Sequence, residues 1–289
     1  MRSSRAPLPF PPPGSCDCQV HAFAADLADY PPRPDRKYDP PAATLEDLRC
    51  MHAALGIERC VIVQPTVYAT DHRLLLDTLA RHDNCRGVAI VDDTVPDAQL
   101  AVLHEAGVRG ARFNLGGPLH SVKGRDEFDR TIERIRRLGW HAKVSASGES
   151  LCEYEPWLSD LTIPAVLDHF AGCNPAAGPG NAGHQLALAL LRKPNWWLML
   201  SNGDRRSAAG APWGDLIPYA RAFIDAAPSR VIWGTDWPHL LYHSDTLPDD
   251  ADLLEFLYRC AGEEMAIRQI LVDNPAQLYG FADVTEETP

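Results

Sequence analysis

The sequence predicts an α/β protein folded as one (β/α)8 TIM barrel, with distortion. Three observations lead there. Eight short apolar runs alternate with eight helix candidates along the 289 residues, and strands that alternate with helices demand a parallel sheet. The length suits a single barrel, a fold that uses about 250 residues as one domain. Polar residues recur just after the apolar runs, at the edge where parallel α/β proteins build their sites. A doubly wound open sheet is the alternative. It wants a glycine-rich phosphate loop after the first strand, and none follows here.

Taken in order, residues 1–14 (MRSSRAPLPFPPPG) are Pro-rich and predict a poorly ordered arm. Residues 15–282 form the barrel, and 283–289 a tail. The first strand covers 16–21. Residues 22–41 hold many prolines and no periodicity, so they form a long loop. Thr44 caps a helix that runs to about 55 and stops at Gly56. Thr44 and Asp47 make a capping-box-like pair, with the acid shortened from Glu. The rhythm then sets in. Strands at 60–64, 87–91 and 108–113 precede helices at 71–81, 97–106 and 126–138, the last two ended by Gly107 and Gly139. Strands at 140–145, 163–167, 196–200 and 231–233 precede helices from 149, at 185–192, 216–226 and 250–260.

Composition excludes several classes. Net charge is −12 with no basic cluster to offset it, so a nucleic-acid partner is not expected. The eight cysteines show no CxxC pair and no finger-like spacing, and read as reduced thiols of a cytoplasmic protein. The start lacks the apolar segment of a secretory signal, and no run reaches the roughly 20 apolar residues of a membrane span. Trp157, Trp196, Trp197 and Trp213 suit a core or a homo-oligomer interface equally.

Function belongs at the strand ends. The first strand delivers Gln19 and His21, the second Gln64, the fourth Arg112 with Asn114, and the fifth Lys143 and Ser145. The sixth delivers Asp168 and His169, and the seventh Ser201 and Asn202, with Arg205 close behind. The eighth lies in VIWGTDWPH (231–239), a buried run that hands out Asp236 and His239. The catalytic set expected is Asp236, His21, His169 and His239. His141, Lys143 and Ser145 share a strand face. If Ser145 faces the pocket, Lys143 lies inside the barrel, where its charge is expected to act as an electrophile.

At this point a family resemblance becomes specific. RKY (36–38), AGVRGARFN (106–114), LGWH (138–141), LDHF (167–170), WGTDWPH (233–239) and DNPAQLYGF (273–281) together make the chain resemble the amidohydrolase superfamily, in its branch of lactonases and lactone isomerases. The resemblance runs over nearly the whole chain. It implies a small-molecule substrate, a lactone or carboxylic acid of a sugar or aromatic compound. It also implies substrate-binding roles for Tyr38, Arg112 and Arg205, beside Gln19, Gln64, Lys143 and Ser145 from the strand ends. An Arg suits this because its planar fork grips a carboxylate through two hydrogen bonds.

The chain departs from the pattern in three places. The superfamily's metal-binding H-x-H is Gln19-Val20-His21 here, and a neutral amide oxygen is a poor zinc ligand beside imidazole. No required metal or cofactor is therefore expected; the alternative is a divalent ion such as zinc on His21, His169 and Asp236. A second Arg that the branch carries after RFN is absent, with Pro118 at about its place, and Ser145 stands where the branch has a Tyr. The expected reaction is lactone hydrolysis with water activated by Asp236. Isomerisation of a sugar-diacid lactone, metal-dependent decarboxylation and binding without turnover are the alternatives.

Overall fold

The computed structural model describes residues 4–117, 119–242 and 247–282. The expected tail, the first three residues of the arm and Pro118 lie outside the described residues. The apolar runs become eight strands: β1 Cys16–Val20, β2 Arg59–Val63, β3 Cys85–Ala89, β4 Val108–Asn114, β5 His141–Ser145, β6 Ala165–Leu167, β7 Trp196–Leu200 and β8 Val231–Trp233. Each pairs in parallel with its neighbours in chain order. That order, with helices between the strands, is the (β/α)8 barrel and excludes the doubly wound sheet. Thr44 and Asp47 do form the capping box of helix Leu45–Leu55, which ends at Gly56 in the left-handed conformation.

Side-chain parity divides the core in two. Cys16, Cys18, Val61, Val63, Val88, Val166, Trp197, Met199 and Ile232 pack together inside the barrel. The alternate residues, such as Ile62, Phe113, Val144, Leu167 and Leu198, pack outward against helix residues such as Leu48, Phe128, Leu190 and Phe223. Two register shifts distort the sheet, between Asp17 and Val20 on β1 and between Gly87 and Val88 on β3. The first changes the phase of β1: Cys18 packs inward, whereas Val20 joins the outer cluster.

The barrel closes between β8 and β1 by an irregular seam. The chain pairs Val20 with Trp237, and Asp236 N–H donates to the Gln19 carbonyl at 2.8 Å. Lower down, the Asp17 carboxylate replaces backbone pairing. It accepts from Thr235 N–H at 3.0 Å and Thr235 Oγ1 at 2.6 Å, and it meets His52 Nε2 at 3.2 Å. Gly234 is required there. A Cβ on it would lie 2.5 Å from Gln19 Cβ.

Two segments differ from expectation. Residues 4–14 are laid down on the barrel rather than left as a loose arm. Arg5 pairs with Glu255 at 2.6 Å and with Asp252, and Pro7 and Pro11 are buried. Beyond residue 260 the chain adds helices that the strand–helix alternation does not announce. Asn274 donates to the Val231 and Pro228 carbonyls at 2.7 and 2.9 Å, which ties this segment to the start of β8. Tyr279 then packs edge-on against His141, and Phe281 lies under Arg59 and Arg86 at the N-terminal ends of β2 and β3. Trp196, Trp197 and Trp213 are core residues; Trp157 is half-buried against Phe128 and Tyr154.

Candidate active site

A cavity of about 270 Å³ opens at the C-terminal ends of the strands. Seven of the expected residues border it: His21, Tyr38, Arg112, Ser145, His169, Arg205 and Asp236. A larger hollow of about 480 Å³ lies beyond Arg112 and shares Thr66, Arg112 and Leu119 with it. The larger hollow touches none of His21, His169 and Asp236, so the smaller cavity is the candidate site.

Asp236 is its centre. One oxygen accepts from Gln19 Nε2 at 3.1 Å and lies 3.5 Å from His21 Nε2. The other lies 3.4 Å from a terminal nitrogen of Arg205. Burial opposes ionisation of this carboxyl, but the surrounding His169, His21 and Arg205 outweigh it and hold Asp236 well below the usual carboxylate range. His169 is itself uncharged at neutral pH, so there the effect rests on His21 and Arg205. Asp236 is therefore an anion at any working pH.

The two cavity histidines are fixed differently. His21 Nδ1 lies 2.7 Å from the Val63 carbonyl and must donate to it. Its Nε2 is thereby turned toward Asp236, 3.5 Å away. His169 Nδ1 receives the Asn202 amide at 3.0 Å and sits 2.8 Å from Ser201 Oγ. With the amide so placed, its Nε2 carries the proton, 3.5 Å from Asp168. Burial holds His169 down to about 4, against the pull of Asp168 and Asp236.

Backbone strain gathers at the same edge. His169, Asn202, Asp236 and His239 all have left-handed φ, between 50° and 62°. Non-glycine residues held there cost of order 1–3 kcal/mol each, and such residues cluster where function over-determines the chain.

Four expected binding or catalytic residues take other places. Gln64 follows the outward-facing parity of β2. Its amide donates to the Ala69 and Asp71 carbonyls at 2.7 and 3.0 Å and accepts from Ile90 N–H, so it holds a loop rather than a substrate. Gln19 is fully buried and orients Asp236 from behind. Lys143 does lie inside the barrel, fully buried, with Nζ 2.9 Å from Asp168 Oδ1. It does not reach the cavity and cannot act there as an electrophile. It neutralises Asp168, which in turn faces His169. His239 is also behind the wall. Burial alone would lower its pKa, but its 3.0 Å contact with Asp250 holds it above the ordinary histidine value.

Arg205 stands beside Asp236, over the ring of Tyr242 at 5.6 Å. Arg112 lies on the β4 wall, its Nε donating to Asn114 at 3.1 Å. Sequence reasoning missed Arg206, Ser147 and Ser150, which also border the cavity. The signal for Arg206 was its place beside Arg205, in the short turn after β7.

Arg205 sets a fixed positive charge against Asp236, and the amide of Gln19 is tied to the same carboxylate.

Comparison with known proteins completes the description. The family model described as amidohydrolase matches residues 16–281. A 4-sulfomuconolactone hydrolase of Hydrogenophaga intermedia is 37% identical, over 93% of this chain and 89% of its own. A 2-pyrone-4,6-dicarboxylate hydrolase of Comamonas testosteroni is 34% identical, over 93% and 90%. A D-galactarolactone isomerase of Agrobacterium fabrum is 31% identical, over 98% and 96%.

Proposed function

The chain belongs to the amidohydrolase family, and on that premise we propose that it opens the ring of a small lactone bearing an acidic group by adding water. The observation that carries this is the setting of Asp236. It is the one carboxylate bordering the cavity among the described residues, ionised, buried and placed between Gln19, His21 and Arg205. Relatives that cover nearly the same length bear the names of lactone hydrolases.

The chemistry balances on these groups. Arg112, with Tyr38 nearby, holds the acidic substituent of the lactone. Water enters beside Asp236, which takes its proton as the oxygen bonds to the ring carbonyl. The developing oxyanion falls to Arg205, whose Nε and one terminal nitrogen are buried without a hydrogen-bond partner. Charge on the oxyanion offsets the field that keeps Asp236 a weak base. The ring C–O bond then breaks, and the proton held by Asp236 passes to the leaving oxygen. Neutral His169 borders the same space and keeps its own proton throughout.

The D-galactarolactone isomerase among the relatives favours a second reading, in which a substrate hydroxyl replaces water as the attacking group. Both reactions proceed without a metal in this proposal, in the cytoplasm. A panel of muconate-type and sugar-acid lactones followed by NMR separates them. Released acid means hydrolysis, and an exchanged ring means isomerisation. Absence of both across the panel refutes the enzyme reading. Activity that dies on dialysis against a chelator and returns with zinc refutes the metal-free part.

A further inference from the structure

The side chain of Asp17 is fully buried and does not border the cavity, yet it grips both segments that hold Asp236. A buried carboxyl must fill its acceptor sites with donors. One oxygen of Asp17 accepts from Gln19 N–H at 3.2 Å and from Thr235 N–H at 3.0 Å. The other accepts from Thr235 Oγ1 at 2.6 Å and meets His52 Nε2 at 3.2 Å. Thr235 Oγ1 in turn accepts from Trp237 N–H at 3.1 Å.

These contacts bracket the base. Gln19 accepts the N–H of Asp236 at 2.8 Å and donates Nε2 to its carboxylate at 3.1 Å. Gln19 also lies where β1 shifts register, between Asp17 and Val20. Such an irregularity frees an N–H from its ladder partner, and Asp17 takes the one on Gln19. The peptides on both sides of Asp236 are therefore held, the one before it by the Gln19 carbonyl and the one after it by the Thr235 hydroxyl. Asp236 itself has φ 62°, and strain of that kind persists only where the surroundings over-determine the chain. Joining β8 to β1 needs only the backbone N–H contacts. The hydroxyl of Thr235 carries the hold of Asp17 past Asp236 to the next residue.

We propose that Asp17 and Thr235 are positioning residues, which fix the direction in which Asp236 presents its carboxylate to water. Asp17 acts through Gln19 N–H and through the Thr235 hydroxyl. This rests on the reading of Asp236 as the base.

The test removes the hydroxyl and then returns it. T235V keeps the size of the side chain and the N–H that joins the strands, and T235S keeps the hydroxyl. With the best lactone of the panel, T235V should lower kcat by about ten- to a hundredfold, the cost of misplacing a reacting group by about 1 Å, with KM within about threefold of wild type. T235S should restore most of kcat. In a D236N background, T235V should cost little more, because residues that act through one group are not additive. An unchanged kcat in folded T235V, with D236N inactive, overturns this proposal alone. So does a T235V loss that persists in full in D236N. Full activity in D236N overturns the reading of the base and this proposal with it. If no lactone is turned over, crystal structures decide: T235V should draw the Asp236 carboxylate away from Gln19 Nε2 and T235S should leave it there, and an unmoved carboxylate in T235V overturns the proposal. Circular dichroism establishes folding; if T235V does not fold, D17N, which keeps shape but turns a donor toward Thr235, replaces it with the same outcomes.

Discussion

Replacing Asp236 with Asn tests the core of the mechanism, because the exchange keeps shape and removes only the charge and the ability to take a proton. A positioned general base contributes about 10²–10⁴-fold, so kcat should fall by that factor, which is about 3–5 kcal/mol on the barrier. Substrate affinity should change less, since Arg112 stays in place. Stability moves by opposing effects. The Arg205 contact at 3.4 Å is worth about 5 kcal/mol of direct attraction at an effective dielectric near 20, most of it offset by desolvation. Its loss leaves a largely buried guanidinium facing an amide. Against this, Asp236 has φ 62°, and Asn tolerates the left-handed region well. A net loss of about 1–2 kcal/mol follows, read as a drop of a few degrees in Tm. The assay is acid release from the best lactone of the panel, by NMR or pH-stat, with a thermal melt on the same sample. Full hydrolytic activity in a folded Asp236→Asn protein would falsify the assignment of the base.

The remaining predictions concern other parts of the same architecture. Arg112→Met should weaken binding of acid-bearing lactones by about 2–4 kcal/mol and that of their methyl esters far less; equal losses would make Arg112 structural. Lys143→Met leaves the Asp168 carboxylate buried and unpaired, so stability should fall by about 3–5 kcal/mol; adding Asp168→Asn should recover much of the loss, and no recovery would refute the pairing argument. His141 is buried and held neutral, its pKa down at about 3 from an ordinary 6.5, through burial first and Lys143 second. The unfolded chain takes up that proton and the folded chain does not, so stability drains away as pH falls from 6.5 toward 3. His141→Leu should flatten that slope by about 1.4 kcal/mol per pH unit, measured by urea unfolding at about pH 6 and about pH 4.5; an unchanged slope would place the acid sensitivity elsewhere.

The reach of the sequence can be judged from particular residues. The eight strands are legible because most are short apolar runs with polar residues close behind, and period two explains why Lys143 lies inward of Ser145. The same parity, applied to β2, would have turned Gln64 away from the cavity. Gln19 and His239 were harder. Each sits one step from the chemistry, and only three-dimensional distance separates a group that touches substrate from one that holds Asp236 or Asp250. The register shift on β1 is likewise silent in the sequence, although it decides which way Val20 faces. Arg206 was visible as a residue but not as one that borders the cavity, because adjacency to Arg205 says nothing about what its side chain faces. The C-terminal helices escaped because no strand announces them.

The C-terminal segment has a consequence for traffic. Tyr279 and Phe281 form a floor under the strands' N-terminal ends, and the Ala282 carbonyl is clasped by Arg59 at 2.6 Å. Among the described residues, the cavity opens at the other end of the barrel from that floor. Lactone, water and the more highly charged acid product all share the opening ringed by the strands' C-terminal ends. Departure of one molecule must precede entry of the next, so accumulated product competes directly with incoming substrate. Ala282 itself lies at that floor, on the side opposite the opening.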